Sequence, residues 1–406
     1  MNISRFNADF GNSVNNFLID GYYLEFTTAV VELTKEQADR HFVDSFNDPK
    51  ELLGNMLVST VIDDEERYFL VGEAAAKRTL SDNHVSRMHN KIKSHIPYVS
   101  FLSSIAYYNA IKGNADNSEV EVESMNMMLP IWLLMKAEKF SVAQNEMAAR
   151  FQKEHKFKVH TPGLEREITV NVKNAKCRSE SEIARYGIKY ALNRADDSNT
   201  LKVEKRKAAA QFANVRVNLV DIGGGSTDAV TLGAGLSTPK SRDDFKVIDV
   251  KPYLGNLEEF RKEKVLELFP KGLRSLENFI VQNYEKQTYK LTNGNTGESH
   301  DLTKLITAML NDYAALFVDR VLNSFDTSSD EVVPFVYFGG EAPILAPYIQ
   351  ENLLNHMNQA AADKNHLFLH DIIEQGENEV IPVTPRTINL ISLEVRSIID
   401  AQKVKA

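Results

Sequence analysis

Residues 217–232 read VNLVDIGGGSTDAVTL: an apolar-rich run, Asp221 near its end, glycines at 223, 224 and 225, then Ser226, Thr227 and Asp228. Such a run broken by consecutive glycines predicts a buried strand ending in a tight hairpin whose backbone approaches something closely. A glycine turn presents successive backbone N–H groups, and such a concavity binds an anion without any cationic side chain. Ser226 and Thr227 add hydroxyl donors. The same residues also suit a plain hairpin in which Asp221 caps the turn. Taken alone, this stretch leaves both readings open.

The first residues echo it. FNADFGNS, around Asp9, repeats the order strand, Asp, apolar residue, Gly, turn and hydroxyl through Gly11, Asn12 and Ser13. One such hairpin in each half predicts an α/β chain of two similar domains facing each other across a cleft. The pairing favours phosphate as the ligand of both turns. An aspartate beside a bare phosphate would be repelled, unless a hydrated Mg²⁺ lies between them. Mg²⁺ keeps most of its waters and is held by one or two carboxylates plus phosphate oxygens, so Asp9 and Asp221 are expected to hold it through water. A base and ribose would then lie on FVYFGGEAPIL, where a buried strand ends at Gly339, Gly340 and Glu341. No G-x-x-x-x-G-K-[ST] occurs, which excludes the P-loop fold, and no G-x-G-x-x-G follows a strand.

Bulk composition narrows the setting. The 406 residues carry a net charge of -9, 43% hydrophobic and 25% charged side chains, ordinary for a globular chain. That charge argues against direct DNA binding, which relies on clustered Lys and Arg. One cysteine, Cys177, excludes an internal disulfide framework and points to the cytoplasm. No apolar signal core or 18-residue apolar run is present, so no membrane partner is expected.

Along the chain, hairpin signals are followed by a helix-prone segment over residues 35–53. A helix is expected from Pro97 to Gly113, then a polar loop from Asn114 to Ser118. VEVESMNMMLPIWLL reads as one strand, KFSVAQNEMAARFQKEH as a helix, residues 179–192 and 257–269 as helices, and LTNGNTGESHDL as a turn-rich excursion. GLRSLENFIVQNY, LTKLITAMLNDYAALFVDRVLNSF and the terminal RTINLISLEVRSIIDA also read as helices.

These motifs together resemble the actin, Hsp70 and hexokinase superfamily of ATPases. ADFGNS resembles its first phosphate loop, LVDIGGGSTD the second, MLPIWLL and CRSESEIARYG the first connecting region, FGGEAPIL the adenosine motif and TINLISLEV the last connecting helix. Within it the chain is similar to ParM-type plasmid-segregation actins, above all the divergent ones of Bacillus plasmids, through DFGNS, LIDGYY, RYFLVGE, HNKIKSHIPYVSFL and NLISLEV. The resemblance implies ATP and Mg²⁺ as cofactors and a filament of this chain that moves plasmid copies apart. It also implies a partner, a DNA-binding adaptor on a centromere-like site. It divides the chain into residues 1–178 with 386–406 returning, and residues 179–385. Two departures stand out: Asn12, with Asn15 and Asn16, lies where many relatives place a phosphate-contacting lysine, and Ser392 where relatives often have glycine.

By register with those relatives, Glu180 is the residue that positions the hydrolytic water, with Glu182 the runner-up. Read locally, either is equally an acidic residue at a helix start. Lys262, beside Arg261 and Glu263, falls where relatives contact ribose and base, though the same residues suit a salt-laced surface helix. His84, His89 and His95 have no ligand spacing with nearby carboxylates, HLFLHD alternates as a strand, and Trp132 reads as core. The alternative function is a small-molecule kinase of the sugar or acetate type. It would need a substrate-binding acid and an Arg or Lys soon after the first loop, and neither stands out.

Overall fold

Each of the two glycine hairpins forms part of its own five-stranded sheet, and the two sheets have the same topology. The computed structural model describes residues 1–77, 90–113, 118–195, 201–325 and 331–405. In the first half the order is Ala175–Ser179, Met125–Leu129, Phe6–Phe10, Val14–Ile19, Tyr22–Thr27. In the second it is His366–Phe368, Phe335–Phe338, Val217–Ile222, Thr227–Leu232, Phe245–Val247. Both are antiparallel meanders extended by two parallel strands on the side of the leading strand. Asp9 faces Asn16 in the first hairpin, and Asp221 faces Asp228 in the second. The echo in sequence is thus a duplicated sheet. A further seven-stranded sheet, running from Asn2–Ile3 at one edge to Val30–Leu33 at the other, belongs to the first half.

Helices cover these sheets through apolar stripes. His95–Lys112 is capped by the Ser94 hydroxyl, which accepts from the Ile96 N–H at 3.2 Å, and it stops at Gly113. Its Phe101 ring meets Phe6 edge-on at 5.3 Å. Thr303–Ser324 buries Ile306, Leu310, Tyr313, Phe317 and Val321, the three- and four-residue spacing of one helix face. It packs against Ala342–Leu353, which begins one residue after Gly339-Gly340, with Glu341 at its N-cap.

The last helix, Ile388–Lys405, packs against Phe6–Phe10, Val14–Ile19, Met125–Leu129 and the short helix Arg185–Lys189. Its buried Glu394 accepts from Arg5 Nε at 2.7 Å and also from the Asn7 amide. At the crossing with Arg185–Lys189, the Gly187 N–H donates to Ser392 Oγ at 2.8 Å. A Cβ on Gly187 would stand 2.6 Å from Ile388 Cδ1 and 2.7 Å from Ser392 Oγ. The bare backbone at this close crossing is on Gly187, and the Ser392 side chain packs directly against it.

Several sequence expectations are corrected. VEVESMNMMLPIWLL is two strands, Glu119–Val122 and Met125–Leu129, in different sheets, and Pro130 then leads into the short helix Ile131–Met135. The helix expected over 179–192 shrinks to Arg185–Lys189, because Ser181 adopts a left-handed φ of 63° and Tyr190–Arg194 pairs as a strand. Over 35–53 only Lys35–Asp39 is α-helical; Pro49–Gly54 is a 3₁₀ turn. The helix expected from 257 begins at Tyr253, and the turn-rich excursion is a small hairpin pairing Lys290–Thr292 with Ser299–Asp301. His84, His89 and residues 114–117 lie outside the described residues. Among the described residues no helix is long and apolar enough to cross a membrane.

Candidate functional site

The ends of both hairpins meet in one cleft of about 800 Å³, counting its solvent-open mouth. Asp9, Gly11, Asn12 and Ser13 line one wall, and Asp221, Gly223, Gly224, Gly225 and Ser226 line the other. Gly339, Gly340 and Glu341 close one end, and Glu180 faces in from the turn after Ala175–Ser179. These sites lie at the carboxyl ends of parallel strands, where open α/β sheets collect ligands.

The two turns touch. A Cβ on Gly225 would fall on the Asn12 amide, so a larger residue there would push the Asn12 side chain aside. Ser13 Oγ donates to Glu277 Oε1 at 2.5 Å, joining the first hairpin to the helix Leu273–Asn283 of the second half. Gly339, at φ 101°, lies where a Cβ would come within 2.5 Å of Asp221 Oδ1 and of the Ile222 carbonyl. The Gly223 N–H donates to Ser226 O at 3.0 Å; among the described residues no acceptor takes those of Gly224 and Gly225. That leaves two adjacent donors at the cleft wall.

The carboxylates are crowded. Burial, with Glu180 nearby, pushes both Asp9 and Asp221 up to about 7. Asn389 Nδ2 donates to Asp221 Oδ2 at 2.8 Å and offsets part of that rise. Asp228, behind the second turn, is raised well above its usual range by burial and Glu180; the Ile131 N–H donates to its Oδ2 at 3.0 Å. Glu341 is raised by burial and by Glu277. Such a site favours cations and neutral donors, which offset the cost of ionising Asp9 and Asp221.

Two cations are supplied by residues the motifs did not single out. Lys91, just before the helix His95–Lys112, places Nζ 2.8 Å from Glu180 Oε1. Arg386 stands at the other end, its guanidinium 3.6 Å from where a Gly340 Cβ would be. The lysine missing from the first turn is thus matched by one from another element. Asn16, Asn389 and Trp132 also line the cleft; Trp132 is buried as expected of core, yet borders the site, with Lys136 over its ring at 4.6 Å. Distance in sequence hid these residues, although Lys91 lies within HNKIKSHIPYVSFL.

Other expected residues fall elsewhere. Lys262 is exposed and pairs with Glu258 one helical turn back, at 3.2 Å, outside the cleft lining. Glu182 pairs with Arg185 at 2.5 Å and does not line the cleft, and Glu180 lies in a turn and not on a helix. Thr227 is buried beneath the second turn.

Two like sheets meeting over facing glycine turns, each with an aspartate, define an actin-like fold. A family model described as the Alp7A C-terminal domain matches residues 216–372. A crystal structure of the actin-like protein Alp7A is 42% identical to this chain, with a TM-score of 0.87 over 100% of this chain and 98% of that one. The chain belongs to the Alp7A family of actin-like proteins. Bacillus thuringiensis ParM with AMPPNP (13% identity, TM-score 0.60, 98% of this chain and 99% of that one) shares the fold. So does a 15-stranded ParM filament from Clostridium botulinum (15% identity, TM-score 0.62, 98% and 100%). No sequence among the curated proteins matches.

Proposed function

We propose that this chain binds Mg-ATP between its halves, assembles head-to-tail into filaments, hydrolyses the nucleotide as filaments turn over, and so moves plasmid DNA apart. The observation that carries this reading is the pair of facing hairpins, each with a glycine turn and a half-buried aspartate, in a chain of the Alp7A family. The solved relatives captured with AMPPNP and as a filament support it.

In this reading the N–H groups of Gly224 and Gly225, with Gly11, Asn12, Ser13, Gly223 and Ser226 around them, take the phosphate oxygens from both sides, while Thr227, buried beneath the second turn, supports it from behind. Among the described residues no trio of His, Cys, Asp or Glu is placed to grip a bare metal ion. Asp9 and Asp221, on opposite walls and raised by burial, fit the waters of a hydrated Mg²⁺. Bound Mg²⁺ supplies the positive charge that lets these carboxylates stand beside phosphate. Glu180 orients the attacking water, the role that phosphoryl transfer leaves to the protein. Gly339, Gly340 and Glu341 give the base and ribose a flat wall, with Arg386 beside it.

The bodies that close on nucleotide are residues 1–178 with 386–406, and residues 179–385. A head-to-tail contact is heterologous and makes an open filament when its rotation does not close. An acidic chain needs a separate basic adaptor to reach DNA, in the cytoplasm where plasmids lie.

Phosphate release measured against protein concentration tests this. We expect little release below a threshold concentration and a steep rise above it, in step with light scattering. Release that grows linearly from the lowest concentration, and only with a small phosphate acceptor present, would identify a kinase instead.

A further inference from the structure

The first turn carries Asn12 where a cation would help to hold phosphate, and Lys91 brings one to the same cleft from outside both hairpins. Its ammonium is spent on Glu180, at 2.8 Å, with only 8% of the lysine side chain and 16% of the glutamate side chain exposed. The pair is held from behind. Arg150 donates to the Lys91 carbonyl at 3.2 Å and to the Ile92 carbonyl at 2.6 Å, and Asn90 Oδ1 accepts from the Ile92 N–H at 3.0 Å. The backbone of Lys91 is therefore fixed, while its side chain points along the cleft wall toward Asp9 and Glu180.

We propose that Lys91 is a positioning residue that reads the terminal phosphate of the bound nucleotide and, in doing so, releases Glu180. This rests on the reading of the cleft as an ATP site. A terminal phosphate carries more negative charge than a single carboxylate and offers several acceptor oxygens, so it competes for the ammonium through stronger charge-assisted bonds. When Lys91 turns to it, Glu180 loses its partner and becomes a free acceptor for a water molecule. With a diphosphate, nothing draws Lys91 away, and Glu180 stays masked. Base activation and recognition of the triphosphate are then one event. The lysine couples them because an ammonium drawn toward the phosphate charge is shared less with Glu180.

The test uses the sole tryptophan, Trp132, which lines this cleft, as a fluorescence reporter of binding. AMPPNP and ADP are titrated with Mg²⁺ at protein concentrations below assembly. Wild type is compared with Lys91→Met, Glu180→Gln and the double variant Lys91→Met/Glu180→Gln, which removes both charges of the pair together. Removing Lys91 should cut the preference for AMPPNP over ADP by about 10- to 100-fold, the worth of a charge-assisted hydrogen bond, while ADP affinity moves by less than about 3-fold. Glu180→Gln, which frees Lys91, should keep or sharpen the preference. If Lys91→Met fails to fold, the double variant decides. A preference unchanged in the variants lacking Lys91, an equal loss for both nucleotides, or a wild type that binds both equally would overturn the proposal. A wild type that binds neither removes the nucleotide-site reading itself.

Discussion

Asp221 and Glu180 share one cleft and repel each other electrostatically, and the proposed function gives them different work. Asp221 is fixed by Asn389 beside the glycine turn, and Glu180 is held by Lys91 across from it. Asp221→Ala should therefore abolish Mg-ATP binding and with it assembly. Glu180→Ala should still bind and assemble, with hydrolysis down by about 10²–10⁴-fold, the usual worth of a positioned base, and its filaments should persist. Phosphate release and light scattering on both variants separate the roles; normal hydrolysis by Glu180→Ala would place the base elsewhere. A pH effect follows from the same burial. Asp9 and Asp221 ionise near 7 in the free cleft, and Mg²⁺ needs them ionised. Mg-ATP affinity should weaken as pH falls from about 8 through 7 to 6, beyond the loss expected from ATP protonation alone. Titrations across that range, compared with the Asp221→Asn variant, check it. At this scale the sequence carried much: Asp9, Asp221 and both glycine turns sit where local pattern put them. Lys91, Arg386 and Asn389 did not show, because a lysine in a polar run or an asparagine on an amphipathic helix carries no local sign of the cleft it reaches.

The helix crossing of Arg185–Lys189 with Ile388–Lys405 ties the two halves beneath the cleft. Gly187 allows the approach and Ser392 seals it by accepting the Gly187 N–H and donating within its own neighbourhood, to the Ile388 carbonyl at 2.7 Å. Gly187→Ala would press a methyl group onto Ile388 and Ser392 and should cost roughly 1–3 kcal/mol, as overpacking does. Ser392→Gly should be milder, since it removes a hydroxyl without adding bulk. Thermal unfolding of the two variants gives the comparison, and a Gly187→Ala protein as stable as wild type would refute the close crossing. Long periodic helices such as Thr303–Ser324 were legible at this level. Residues 119–134 and 179–192 were not. A run whose apolar residues continue on both sides of Glu123-Ser124 does not reveal that Glu119–Val122 and Met125–Leu129 join different sheets. A left-handed serine at 181 breaks a helix without any Gly or Pro to announce it.

At the scale of the whole molecule, the duplicated sheets make two bodies with a ligand cleft between them, and the sequence disclosed this through the FNADFGNS and VNLVDIGGGSTD echo. Contacts across the cleft, Ser13 to Glu277 and Asn12 onto Gly225, were invisible there because they join segments far apart in the chain. With a net charge of -9, the isolated protein should bind DNA weakly and without sequence preference at physiological salt; tight, sequence-specific binding in a gel-shift assay would contradict the need for an adaptor. A nucleotide that favours a closed arrangement would shift the population toward it, so under the proposed function assembly should depend on nucleotide. The most direct measurement is sedimentation of the purified protein with Mg-AMPPNP, with Mg-ADP and without nucleotide. Pelletable filaments should form with Mg-AMPPNP and far less with Mg-ADP or no nucleotide. A chain that binds Mg-AMPPNP yet stays monomeric at high concentration would contradict the coupling of cleft closure to filament assembly.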